Sequence, residues 1–411
     1  MTDQTILAEG PQPVAAGARI QTLDVMRGVA VLGILAVNAA AFALPMNATM
    51  APEQSPFPLS GSSATAYWLV EVFFRQKFVT LFSMLFGVSI FLVGGERKDA
   101  ARGRVLRRRL MWLALFGVIH GAAFWYGDIL LLYAWSGLFV MLMRSMPARP
   151  LILFGIAATL ALATMQAVTM WLTVNGPAEL VEAMNNDSMA LADGAVAASI
   201  AAYRSGWPAA LIENLKAWGI LQSASLFGYV FATVPLMMLG LGLFKAGFFH
   251  ARLPNRVYVA LIAVGAAVLT LLGLLEWREV MAGPGVEATH GWAEVVASYP
   301  IFIALAYASG LILLTSRGVG WVRRIFAPVG QMAFTNYLTQ TLIMTTLFYM
   351  PWGPRLMGQV DYPGQWAIVV AVWALQLIWS PLWLSRFRMG PLEWLWRRLS
   401  YGHDLPLRRA A

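Results

Sequence analysis

The sequence predicts an all-α, polytopic membrane helical bundle of about ten transmembrane helices, with cytoplasmic N- and C-termini. Three observations carry that prediction. Hydrophobic residues make up 59% of the chain and charged residues only 12%, whereas soluble domains carry roughly 25% charged residues. Windows of ~20 apolar residues recur along the chain, each long enough to cross the hydrocarbon core as a helix. Basic residues collect between alternate windows, the pattern that positive-inside topology requires.

Residues 1–18 are polar, rich in Ala, Gly and Pro, and lack a basic n-region. They read as a disordered cytoplasmic tail without a cleaved signal. A single transmembrane domain is expected over 19–402, with spans at about 23–45, 65–95, 110–126, 129–146, 150–174, 218–246, 257–276, 299–316, 329–350 and 365–385. The second window exceeds one crossing. Its first part, AYWLVEVFFRQK, holds Glu71, Arg75 and Lys77 and is expected to lie along the outer interface before the chain plunges. Outer loops are expected at 46–64, 175–217 and 277–298. In 175–217, acidic Glu179, Glu182, Asp187, Asp193 and Glu213 alternate with apolar positions, as in a surface helix. The loop 277–298 is polar and carries His290 and Trp292. The segment GPLEWLWRRLSYG, 390–402, sets Trp394 and Trp396 beside Arg397 and Arg398, as in a cytoplasmic interfacial helix. Residues 403–411 are a tail. No internal repeat is visible, which slightly disfavours a secondary transporter.

Of 29 lysines and arginines, only Arg204, Lys216, Arg278 and Arg355 fall in outer loops, with Arg75 and Lys77 in the second window. Both termini should therefore be cytoplasmic, in a bacterial inner membrane. The net charge of +9 is topological, and no nucleic-acid partner is expected. With no cysteine, a disulfide framework, a thiolate nucleophile and a cysteine metal site are excluded. His120, His250, His290 and His403 fall on different segments, so no metal is expected. Phosphate-loop, HExxH and GxSxG patterns are also absent from the sequence.

Polar residues inside apolar helices are expensive and mark sites or interhelical bonds. Asp24 and Arg27 share a face at the start of the first span. They form either a local anchoring pair or an anion site in which Asp24 orients Arg27. Asn38 lies ~21 Å further along the same helix, in the outer half. It serves an interhelical hydrogen bond or a site. His120 stands alone in FGVIHGAAFWYGD, about two turns before Tyr126 and Asp128. It is either a packing residue or a chemical group, and Asp128 can cap the next span while orienting it. In GQMAFTNYLTQTL, Gln331, Thr335 and Thr339 share one face and Asn336 and Gln340 the next. This stripe must face protein or a cavity. The run ERKDAARGRVLRRR, 96–109, supplies topology and lipid attraction, and part of it could hold cofactor phosphates.

RIQTLDVMRGVAVLGILAVN, KFVTLFSMLFGVSIFL, LFGVIHGAAFWYGDILLLYAWSGL, GQMAFTNYLTQTLI and GPLEWLWRRLSYG together resemble the YeiB family of bacterial integral membrane proteins, from about Arg19 to Gly402. The opening helix is also similar to that of the transmembrane acyltransferase group. That group includes the lysosomal enzyme that acetylates heparan glucosamine and bacterial enzymes that O-acylate surface sugars. Leu23, Asp24, Arg27 and Gly28 match its Leu/Val-Asp-x-x-Arg-Gly opening, and Asn38 matches an active-site asparagine. The resemblance implies a buried site that uses acyl-CoA or acetyl-CoA as co-substrate. In the lysosomal enzyme the catalytic histidine follows that asparagine closely, but residues 39–64 hold no histidine here. Either His120 supplies the base, or this chain does not perform that chemistry.

The leading expectation is an acyltransferase moving an acyl group from cytoplasmic acyl-CoA to a small-molecule or glycan acceptor at the outer face. Catalysis would fall to His120, Asn38 and Asp128, donor binding to Asp24, Arg27, Arg104 and Arg108, and acceptor binding to Tyr126, Thr335, Asn336 and Gln340. The alternative is a transporter or exporter of a small amphipathic solute, lined by the polar stripe. The lipid bilayer is the expected surrounding, and a homodimer is left open.

Overall fold

A computed structural model describes residues 20–50, 54–187, 194–283 and 288–409; the tail expected at 1–18 lies outside them. The described residues are mostly helical and contain no strand beyond one isolated bridge, Phe387–Arg408. Among the described residues, six helical stretches are long and apolar enough to cross a bilayer: 21–43, 61–94, 148–175, 207–245, 255–282 and 362–386. Basic residues gather at one end of the bundle, called here the basic end.

Helix α1 (Gln21–Ala43) is the central post. Its apolar window is 67% buried, against 17% for α12 (Asn255–Ala282), which faces outward. Close approach explains the difference. A side chain at Gly28 would strike the Phe326 carbonyl of α15 (Gly320–Gln331), and one at Gly330 would strike the Asp24 carbonyl of α1. Gly87 of α4 (Lys77–Gly94) and Gly240 of α11 (Val230–Lys245) pack in the same reciprocal way, against Met237 and Met84 carbonyls. Where lipid offers no hydrophobic drive, such backbone contact is what van der Waals packing can use. On outer surfaces, Phe227, Leu382, Met165 and Leu274 are exposed, as lipid-facing side chains should be.

Several expected spans are broken. The second window divides into α3 (Gly61–Phe73) and α4 at residues 74–76, with Gln76 in the left-handed region at φ 63°. The break lets Lys77 Nζ donate to the Glu71 carbonyl at 2.6 Å while Arg75 pairs with Glu71 at 2.6 Å. The segment α3 is pinned to the bundle. Trp68 Nε1 donates to the Gly273 carbonyl of α12, and Trp366 Nε1 of α17 (Tyr362–Arg386) donates to the Ala66 carbonyl.

The span expected at 329–350 likewise divides, at Met332, into α15 and α16 (Ala333–Phe348). The break frees the first amides of α16, and a carboxylate from the C-terminal helix α18 (Pro391–Tyr401) receives them. Between these, α5 (Ala100–Ala123) starts at its Asp99 cap, α6 (Leu130–Met143) follows a short loop, and α7 (Ala148–Asn175) runs outward-facing. The loop expected at 175–217 is itself mostly helix: α8 (Ala178–Asp187), α9 (Ala195–Ser205) and the start of α10 (Trp207–Ala224). Asp193 lies outside the described residues. A π-turn at Ser225–Tyr229 joins α10 to α11, so that span starts earlier than its hydropathy suggested. Short α2 (Met46–Met50) and α13 (Trp292–Ala297) lie at the end opposite the basic one, and α14 (Pro300–Ser316) packs on α12 and α4.

Candidate functional site

A cavity of about 280 Å³ runs into the bundle between α1, α4, α5, α6, α16 and α18. At the basic end it is ringed by Arg27, Arg102, Arg109, Arg397, Asp24 and Glu393. Deeper walls are apolar, from Val31, Phe82, Phe86, Leu106, Leu110 and Leu113. Tyr133 and Tyr337 also line the cavity, with Ile34, Ile129 and Leu130. Charge at one end and hydrocarbon along the length fit an amphipathic anion. The volume falls just under the ~300–1,000 Å³ usual for small-molecule sites.

Helix period sorts the arginines. Arg102, Leu106, Arg109 and Leu113 follow a spacing of three to four residues, so one face of α5 lines the cavity. Arg104 and Arg108, the arginines expected to hold phosphate, occupy the other face and are exposed. Arg102 also holds the C-terminal end of α4, donating to the Val93 carbonyl at 3.0 Å. Arg109 stacks over the Trp396 ring at 3.7 Å, and Trp396 Nε1 donates to the Arg109 carbonyl at 2.9 Å. Arg27 reaches Asp24 at 3.2 Å and donates to Ser89 Oγ at 2.9 Å, with its guanidinium on the cavity. Glu393 Oε1 accepts the amides of Phe334 (2.7 Å) and Thr335 (3.0 Å). Burial pushes the Glu393 carboxyl above its ordinary range, against the pull of those donors and the Thr335 hydroxyl.

Against Tyr337 lies a buried polar chain. His120 Nδ1 is 2.8 Å from Asp128 Oδ1, and His120 Nε2 is 2.9 Å from Thr341 Oγ1. Asp128 Oδ2 accepts the Leu131 amide at 2.8 Å, so this carboxylate caps α6 and holds the imidazole at once. Tyr337 lies against the His120 ring at 5.4 Å between centroids, one helical turn before Thr341. Its buried hydroxyl, beside the Ile129 backbone, makes no hydrogen bond of good geometry.

The other expected residues lie apart from this chain. Asn38 lines a second cavity of about 220 Å³ at the opposite end, with Tyr67, Glu71, Arg75, Tyr362 and Gln365. Tyr126 donates to the Ala41 carbonyl of α1 at 3.2 Å. Of the polar stripe, Gln331 lines the first cavity and Thr339 bonds within α16, while Thr335, Asn336 and Gln340 are spent on bonds between helices. Gln340 donates to the Val31 carbonyl (3.2 Å) and to Gln376 (2.9 Å); Asn336 donates to Ser380 (3.1 Å) and accepts from Trp379 (2.7 Å). Thr335 serves Glu393. Among the described residues no group of three His, Asp or Glu side chains could hold a metal.

Thr341, Tyr337, Arg102, Arg109 and Glu393 were absent from the sequence-derived site. The helical spacing on α5 was a usable signal for the two arginines. Nothing in the sequence links Thr341 to His120, because 221 residues separate them.

Fold and cavity together define a polytopic helical membrane protein with an amphipathic cavity open to its basic end. Comparison with known proteins then places it. The family described as Protein of unknown function (DUF418) matches residues 241–403. The uncharacterised protein YxaH of Bacillus subtilis is 31% identical across 95% of this chain and 96% of its own length. The uncharacterised protein YeiB of Escherichia coli is 32% identical across 92% and 95%. An uncharacterised 39.9 kDa protein of Bacillus acidopullulyticus is 26% identical across 96% and 97%. The chain belongs to the DUF418 family of YeiB and YxaH. No solved structure matches it.

Proposed function

We propose that this protein is a membrane-embedded acyltransferase that draws an acyl donor, acyl-CoA or acetyl-CoA, into the cavity from the basic end. The observation that carries the reading is the Asp128–His120–Thr341 chain placed against Tyr337, which lines an amphipathic cavity. Arg27, Arg109 and Arg397 would face the donor's phosphates. The acyl chain would run along the apolar wall toward Tyr337. His120, oriented by Asp128, would act as general base. Tyr337, whose hydroxyl meets the Ile129 backbone without a well-formed hydrogen bond, would stabilise the developing oxyanion. Asn38 instead lines the cavity at the other end, where the acceptor, a small molecule or glycan, would enter.

In this reading the basic end is cytoplasmic, with both termini on the cytoplasmic side of a bacterial inner membrane. The solute-exporter alternative is weakened, because Thr335, Asn336 and Gln340 are hydrogen-bonded within the bundle and only Gln331 of the stripe lines the cavity.

The test is a thermal shift of detergent-purified protein with acetyl-CoA and longer acyl-CoAs, using free CoA and ATP as charge controls. Selective stabilisation by an acyl-CoA, lost in Arg27→Ala, is the expected result, since a ligand bound only to the native state raises its apparent stability. Absence of any shift at millimolar acyl-CoA would sink the proposal.

A further inference from the structure

The geometry points to Thr341 as the nucleophile of a covalent acyl-enzyme, an inference that rests on the acyl-transfer reading and specifies its chemical step. The proton positions follow from the partners. Asp128 already accepts the Leu131 amide through Oδ2; with Oδ1 as acceptor too, the facing His120 nitrogen carries the proton, and in the neutral ring Nε2 keeps its lone pair. Thr341 Oγ1, 2.9 Å from Nε2, is then the donor. Nucleophile, base and orienting acid stand in the order that activates a hydroxyl. Other hydroxyls of the bundle spend their proton differently. Ser83, Ser89, Thr233 and Thr339 donate to the carbonyl four residues back, at 2.7–3.0 Å. For Thr341 that carbonyl is 3.5 Å away, so its shorter bond is the one to the imidazole.

The position of the triad gives a covalent step its purpose. On one side the His120 ring meets Tyr337, which lines the cavity from the basic end. On the other it meets Trp125 at 6.3 Å between centroids. Trp125 stacks on Phe42 and donates to the Ala41 carbonyl, and Ala41 lines the second cavity. The triad thus stands in the partition between the two cavities. Donor and acceptor entering from opposite ends need not meet if the acyl group rests on a residue of that partition.

In the first half-reaction Oγ1 attacks the thioester carbonyl carbon while Nε2 takes its proton. The C–S bond breaks, the electron pair leaves with sulfur, and the proton on His120 passes to the thiolate. In the second half-reaction the acceptor hydroxyl or amine gives its proton to Nε2 and attacks the Thr341 ester. The Oγ1–acyl bond breaks, and the proton returns to Oγ1.

The experiment uses full-length protein in nanodiscs with radiolabelled acetyl-CoA and palmitoyl-CoA, without acceptor, and reads free CoA and the mass of the peptide bearing Thr341. A parallel arm uses an alkyl fluorophosphonate, which needs an activated hydroxyl but no thioester. The expected result is a burst of one CoA per protein and an acyl adduct on Thr341. Both persist within about tenfold in Thr341→Ser and fall by more than ~10³-fold in Thr341→Val and His120→Ala. CoA turnover with no adduct, or with an adduct on His120, overturns the nucleophile and leaves the acyltransferase reading standing. Fluorophosphonate labelling of Thr341 that depends on His120, with every acyl-CoA inert, supports the nucleophile and overturns the acyl-CoA donor. Silence in both arms, in protein whose thermal unfolding matches wild type, overturns both.

Discussion

Replacing Asp128 by asparagine separates the two jobs of this carboxylate. One oxygen accepts the Leu131 amide at 2.8 Å and the other faces His120 Nδ1 at 2.8 Å. Asparagine keeps the shape, and its carbonyl can still cap α6, so the stability cost should be about 1 kcal/mol, the difference between a charge-assisted and a neutral hydrogen bond. Asp128→Ala removes both bonds. It forfeits a cap worth ~1 kcal/mol and strands a buried imidazole donor at ~1–3 kcal/mol, for a total of ~2–4 kcal/mol. Chemistry should respond in the opposite proportion. The asparagine amide would donate to Nδ1 and turn the imidazole round, leaving Nε2 protonated and unable to take the Thr341 proton. In triads of other enzymes the same exchange lowers kcat by ~10⁴-fold. The assay pairs unfolding in detergent with acyl-CoA-dependent CoA release, for wild type and both variants. Asp128→Asn protein that unfolds like wild type yet loses at least ~10³-fold in turnover is the expected result. Turnover within tenfold of wild type in Asp128→Asn would refute the tautomer argument, and with it the use of His120 as base.

Four further outcomes follow from the same contacts. Arg27→Ala should weaken acyl-CoA binding by at least about tenfold, one charge-assisted bond's worth, whereas exposed Arg104→Ala should change it by less than about twofold; thermal-shift titration reads both. Gly330→Val should destabilise by ~1–3 kcal/mol or more in detergent unfolding, because its side chain would collide with the Asp24 carbonyl and force α1 from α15. Glu393→Ala should cost ~2–5 kcal/mol by stranding the Phe334 and Thr335 amides, while Glu393→Gln, which can still accept them, should cost less than half of that. The folded-state pKa of Glu393 lies above its unfolded value, so folding penalises the ionised form. Its contribution to stability should therefore fall as pH rises from the ordinary glutamate range through the folded pKa, and Glu393→Gln should flatten that part of a stability–pH profile.

Membrane class and helix placement were legible because they depend on local composition. A 20-residue apolar window is a helix in hydrocarbon wherever its neighbours lie, since its backbone has no other partner. All ten expected windows fall on helix in the structure. The breaks at Gln76 and Met332 were not legible, because each depends on a remote group: a buried lysine turning back on α3, and Glu393 receiving amides 58 and 59 residues away in sequence. Likewise the stripe of α16 announced that it must avoid lipid, but not whether it met a cavity or α17. Hydrogen bonds to Gln376, Trp379 and Ser380 answer that.

By itself, then, the sequence determined the solvent of this protein, the existence of its helices and the charge asymmetry of their ends, and it put Asp128 eight residues from His120, within reach of it as a candidate partner. Each is a property of residues near one another in the chain. Only the tertiary structure decided which arginines of α5 face the cavity, that Asn38 and His120 serve different cavities, and that Thr341 completes the chain at His120. Those depend on how α1, α5 and α16 are rotated and brought together. That rotation is set by backbone contacts such as Gly28 and Gly330 across α1 and α15, which no local pattern encodes.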